Sequence, residues 1–378
     1  MIRIAGSIRK SFGKLLLIQV LCFGTISTFS RPPSTNEWHL SPCLKFDAFY
    51  FLHAVSKDQF YNRMYGRDNT LWRDRLGAST IDSINSIIDS VGSIGFKASY
   101  LFTYIPVFSL DDLINILQDS AQFNIKIRSA LITHHDYRLQ ASLNDLRSIL
   151  PYSRKLSFIF QQMRDQRWEE DWKAIAIRLK TDITRKQSEL VKYSPSYLTE
   201  AVAGFLGINA QQNDSSSTVY YVYYAFPNAF KLPYNMMATW NIEEPKYFFS
   251  VYLHEMLHSF SIYSPELIDL HKGLVSGSKE LSGNREILTG QLYESDDEFY
   301  ILAAEAYLSV KLGIRTDKEA VEYLKSANGG TVVYSLLIYN YLQKSFDNRC
   351  YTYGSFLKDV FFPAVSTKEV DRFLSEAK

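Results

Sequence analysis

The sequence predicts an α+β fold, predominantly helical, on three observations. Apolar residues recur at spacings of three and four from Phe46 to about Leu206, which is the periodicity of amphipathic helices. One run, TVYYVYYAF at Thr218–Phe226, is dense in β-branched and aromatic residues and stops at Pro227, as a strand does. Two later apolar segments, 245–262 and 296–310, return to helical spacing. With 378 residues, 46% of them hydrophobic, the chain can bury a large core, so disorder is excluded as its main state.

The amino terminus reads as an export signal over residues 1–30. Arg3, Arg9, Lys10 and Lys14 precede a short apolar run, Leu15–Ile26, and small residues follow at Ser27, Thr28 and Ser30. A run of about twelve apolar residues is short of the roughly twenty that a spanning helix needs, so cleavage near Ser30 and no stable membrane span are expected. An amphipathic first helix is the alternative. Val20 and Leu21 before Cys22 are not the small residues of a lipidation site. The mature chain would be periplasmic or secreted.

The formal charge is +1. Removing the four leader cations leaves 37 basic against 40 acidic side chains, a balance that points to no nucleic-acid partner. Cleavage would also leave only Cys43 and Cys350. In an oxidising compartment they could form one disulfide, or both could be buried free thiols.

Within the helical half, residues 31–210, Phe46, Phe49, Tyr50 and Phe60 mark one apolar stripe and Ile81, Ile84, Ile87 and Ile88 another. Ser109 before Leu-Asp-Asp and Ser142 before Leu-Asn-Asp read as helix caps that put acids in a first turn. Trp168 to about Lys192 is charged enough for a helix with a broad solvated face. His134 and His135 beside Asp136 have no ligand-spaced partner and read as a loop pair. The polar stretch Gln211–Ser217 is the candidate boundary to the second half, residues 211–378.

That second half carries the chemistry. Residues 245–262, PKYFFSVYLHEMLHSFSI, place Phe248, Val251, Tyr252, Met256 and Phe260 at helical spacing behind Pro245. His254 and His258 lie four apart, so both imidazoles leave one face about a turn from each other, as two zinc ligands require. Glu255 is offset by one residue and can reach a metal-bound water. This HExxH pattern makes Glu255 the candidate general base. Two histidines and a glutamate in an apolar helix would otherwise be costly to bury.

A catalytic zinc takes a third protein ligand. The SFSIYS that follows His258 lacks the glycine and histidine of the metzincin extension, so an acid is expected. Glu298 and Glu305 lie seven apart on one face of DDEFYILAAEAYLSV. Glu298 is the preferred ligand, because Ala303 and Ala304 allow close helix approach. Glu305 is the alternative, or else a second carboxylate behind a histidine; Glu294 and more distant acids remain. Asp296 and Asp297 read as caps. Tyr293, Tyr307 and His271 are candidate oxyanion donors, with no spacing that selects among them.

HExxH, a gap of about forty residues and a helix with two glutamates seven apart resemble the gluzincin clan of metallopeptidases. The chain is also similar to a poorly characterised group of exported bacterial proteins of that kind, through FDAFYFLHAVSKDQFYNRMYG at residues 46–66. The resemblance implies a zincin-like catalytic core over 211–378, Zn2+ on His254, His258 and Glu298, and a peptide or protein substrate. Thermolysin-type enzymes have Asp three residues after the ligand glutamate; here Ile301 stands there. Zincins commonly hold substrate on an edge strand upstream of the metal helix, a role Thr218–Phe226 could fill, unless it is an ordinary core strand. The alternative function is a zincin-derived binding protein whose aromatic groove holds a partner or cell-wall component; another is a metal-free helical interaction module.

Overall fold

The computed structural model describes residues 38–134, 138–208, 218–225, 229–232, 237–239, 244–259, 264–290 and 295–377. The export signal, Gln211–Ser217, Tyr293, Glu294, His135 and Asp136 lie outside them. The described residues are predominantly helical with few strands, and none of their helices is long and apolar enough to cross a membrane.

One four-stranded sheet divides the molecule. Its strands are β1 (His39–Pro42), β2 (Thr218–Tyr221), β3 (Ala229–Lys231) and β4 (Met237–Thr239), in the order β1-β2-β4-β3. β1 and β4 flank β2 in parallel, and β3 pairs antiparallel with β4 at the edge. Strand side chains alternate between faces, and each face here feeds a different core. Val219, Tyr221 and Ala229 join the core formed with residues 183–374. Tyr220, Val222, Phe230 and Leu232 pack into or against the core built mainly from residues 43–179.

The amino-terminal core surrounds α1 (Leu44–Val55), every residue of which is buried. A helix apolar on all sides belongs in an interior. Its two charged residues are both compensated. Lys45 donates its ammonium to the carbonyls of Phe102, Thr103 and Ile105, at the end of α2 (Ile94–Phe102). Asp47 accepts from Trp172 Nε1 at 2.8 Å and from the Tyr224 amide at 2.9 Å. Close packing of α1 on α2 needs Gly95, where an added Cβ would sit 2.6 Å from the Tyr50 ring.

Several expectations hold and others are corrected. Ser109 caps its helix in a reciprocal box with Asp112. Ser142 is not at a cap position: its helix starts at Leu139, so Ser142 is interior and buried. Trp168–Leu190 is a single helix, α3, with a charged outer face and a buried stripe. β2 is neither an edge nor as long as its composition suggests. It lies between β1 and β4 and ends at Tyr221, because the following backbone is held by side chains instead. Asp47 takes the Tyr224 amide, and the Tyr65 hydroxyl donates to the carbonyls of Tyr223 and Ala225; tertiary partners override strand propensity there. The cysteines do not pair: Cys43 is a buried free thiol, pushed up to about 11 by burial, and Cys350 is exposed and free. His134 stacks on Tyr104 at 4.7 Å.

Candidate metal centre

Two helices of the carboxy-terminal core build the site. α4 (Pro245–Ser259) begins at its proline, and α5 (Glu298–Lys311) packs against it. Small residues make that approach possible, since Ala303, Ala304 and Ala306 are all fully buried on α5.

His254, His258 and Glu298 bring their donor atoms to one point. The two Nε2 atoms are 3.0 Å apart, and each lies 3.5 Å from an oxygen of Glu298. Ligands at about 2.0–2.1 Å from a tetrahedral zinc would be separated by about 3.3 Å, so the spacing fits an ion of that size. Glu298 adds a second indication. Its Oε2 is buried, and its contact with His258 Nε2 at 3.5 Å falls short of good hydrogen-bond geometry, an arrangement that costs free energy unless positive charge compensates it. Burial would push this carboxyl up, but the two histidines outweigh that and hold it below its ordinary value.

Glu305 stands behind His254 and does not join the cluster. Its Oε2 is 3.1 Å from His254 Nδ1 and accepts from the Tyr323 hydroxyl at 3.0 Å. Ser250 Oγ donates to its Oε1, and the Arg315 guanidinium lies 3.6 Å from the same atom while stacking on Tyr323. A carboxylate receiving Nδ1–H fixes the imidazole tautomer, so the Nε2 lone pair faces the convergence point. Burial disfavours a charged His254, yet Glu298, Glu305 and Glu255 together raise it to about 10. In the metal-free chain a proton therefore takes the place of a cation.

Glu255 is buried beside the cluster. Its Oε2 accepts from the Lys231 amide of β3 at 2.6 Å. Burial raises its carboxyl above the ordinary value, against the lowering influence of His254 and His258. Lys231 itself is buried, on the α4 face of the sheet with Ala229. Burial pushes its ammonium down to about 8, and Glu255 opposes that shift.

Neither described oxyanion candidate faces the cluster. Tyr307 follows Glu298 by nine residues, about half a turn out of phase, stacks on Phe205 and meets Phe346 edge-on. His271 places Nδ1 2.8 Å from the Tyr300 hydroxyl. Of the two aspartates expected as caps, only Asp297 stands at the cap position. Asp296 chelates Arg285 through both oxygens, and Asp297 occupies the cap position without a capping hydrogen bond from its side chain.

Sequence reasoning missed Ser250, Lys231, Tyr323 and Arg315. Ser250 was accessible to it, lying four residues before His254 on the same helical face. No local pattern announces the other three, which arrive through tertiary contacts. Comparison with known proteins finds no matching protein family, no similar curated protein and no similar solved structure.

Proposed function

We propose that this chain is an exported zinc-dependent metallopeptidase of gluzincin type, with a zincin-like core. The observation that carries the reading is the convergence of His254, His258 and Glu298 at zinc-ligand spacing, with a buried Glu255 next to it. The antiparallel edge strand β3 beside the metal helix supports a zincin-like core, and the basic-then-apolar leader supports export.

His254 and His258 would hold the ion through Nε2, and Glu298 through its carboxylate. Zinc bound there supplies Lewis acidity and lowers the pKa of a coordinated water from about 15.7 to about 7. Glu255, oriented through the Lys231 amide, takes a proton from the attacking water and delivers it to the leaving amine. Glu305 keeps His254 in the ligating tautomer, and Ser250, Tyr323 and Arg315 keep Glu305 in place.

Glu255→Gln tests the assignment. Glutamine preserves an acceptor for Lys231, so the variant should bind one equivalent of zinc while losing at least about a hundredfold in hydrolysis of a mixed peptide library. Zinc-loaded wild type that cleaves nothing would favour the binding protein. Absence of stoichiometric zinc at neutral pH would remove the peptidase reading.

A further inference from the structure

A peptide that adds to a sheet edge needs a row of main-chain donors and acceptors facing outward. Among the described residues, the edge beside the metal centre is β3, paired through Phe230 with Ala238 and Lys231 with Met237. Both main-chain groups of Lys231 turn away from β4 and both are taken. Its N–H donates to Glu255 Oε2 at 2.6 Å, and its carbonyl accepts from the Tyr100 hydroxyl at 2.6 Å.

The Tyr100 cap is firmly held. Its ring is buried, with the Arg138 guanidinium 3.7 Å from its centroid and Phe96 and Phe230 at 5.0 and 5.9 Å. Two residues before Ala229 and two after Lys231 the sequence has Pro227 and Pro233, which have no N–H to offer. With both groups of Lys231 occupied, β3 offers no continuous row of open main-chain donors and acceptors. A peptide competing for the Lys231 amide would also remove the hydrogen bond that orients the candidate base.

We propose that this edge is closed to extended polypeptide, and that the site takes short peptides held by few main-chain bonds. The proposal rests on the peptidase reading above. On an open edge, each further pair of main-chain bonds would tighten binding about tenfold. Here affinity should stop improving once the peptide outgrows the immediate surroundings of the metal.

The test uses the zinc-loaded full chain carrying Glu255→Gln, titrated calorimetrically with a nested series of end-blocked peptides from tripeptide to decapeptide. Kd is expected to level off by the tetrapeptide. Adding Tyr100→Phe, which frees the Lys231 carbonyl and keeps the ring, should restore a several-fold gain for the longer members. A Kd that falls about tenfold with every two residues in the presence of Tyr100, with the otherwise wild-type chain cutting the decapeptide in its interior, overturns the closed edge and leaves the peptidase reading standing. Binding of no peptide at any length, at full zinc occupancy, overturns both.

Discussion

Zinc binding to this chain should be a proton exchange, and the size of the effect follows from the surroundings of His254. In the metal-free site its imidazolium is raised to about 10, because Glu298, Glu305 and Glu255 outweigh the desolvation that opposes the charge. At pH 7 that proton lies about three pH units below its release point, so displacing it costs about 4 kcal/mol at 1.36 kcal/mol per unit. Zinc affinity should accordingly rise about tenfold per pH unit between about 7 and 9, with about one proton from His254 released per ion. The stability of the metal-free chain runs the other way. A group raised on folding contributes fully below its unfolded value of 6.5 and loses that contribution as pH climbs through about 10. Chelator-treated protein should therefore melt lower as pH rises through this window, and the melting gap to the zinc-loaded form should widen. Competition against a chromophoric chelator gives the affinity, and calorimetry in two buffers of different ionisation enthalpy gives the proton count. Affinity that stays flat from pH 7 to 9 with no proton released would refute this account of the site.

Three substitutions probe the layers around the ion, and a fourth probes the amino-terminal core. Glu298→Ala should lower zinc occupancy more than Glu305→Ala, which should cost about 10- to 100-fold in affinity. Glu305→Ala should also destabilise the fold by about 3–5 kcal/mol, because it strands the buried Arg315 guanidinium; the opposite order of zinc loss would exchange the roles of the two acids. Lys231→Met removes a cation coupled to Glu255, so the acid limb of the kcat/KM profile should move to higher pH at unchanged zinc content. An unmoved limb would show that the ammonium has no influence on the base. Lys45→Met should lower the melting temperature without altering zinc binding, since it removes a charge-assisted cap from three carbonyls at the end of α2, a loss of about 2–4 kcal/mol on typical values for such bonds. A variant as stable as wild type would show those carbonyls to be equally well served by water.

What the sequence determined by itself lies within single helices. The four-residue spacing of His254 and His258 and the seven-residue spacing of Glu298 and Glu305 set which side chains share a face, and the bounds of α4 and α5 follow from apolar periodicity behind Pro245 and Asp297. Ser109 was legible for the same reason: a capping box is closed within three residues. Only the tertiary structure separates the positions of the two glutamates. Both are on the inner face of α5, and the choice depends on where α4 crosses it, which puts Glu298 against both imidazoles and Glu305 behind one. The sheet order was equally out of reach. Strand composition in Thr218–Phe226 cannot say that β1, nearly two hundred residues away, will cover one side of β2 and leave β3 as the edge. Nor can spacing foresee that Tyr100 and Glu255 meet on the two main-chain groups of Lys231. Backbone periodicity acts over a few residues, whereas convergence depends on how whole elements pack, and that is set by the sum of many weak apolar contacts spread along the chain.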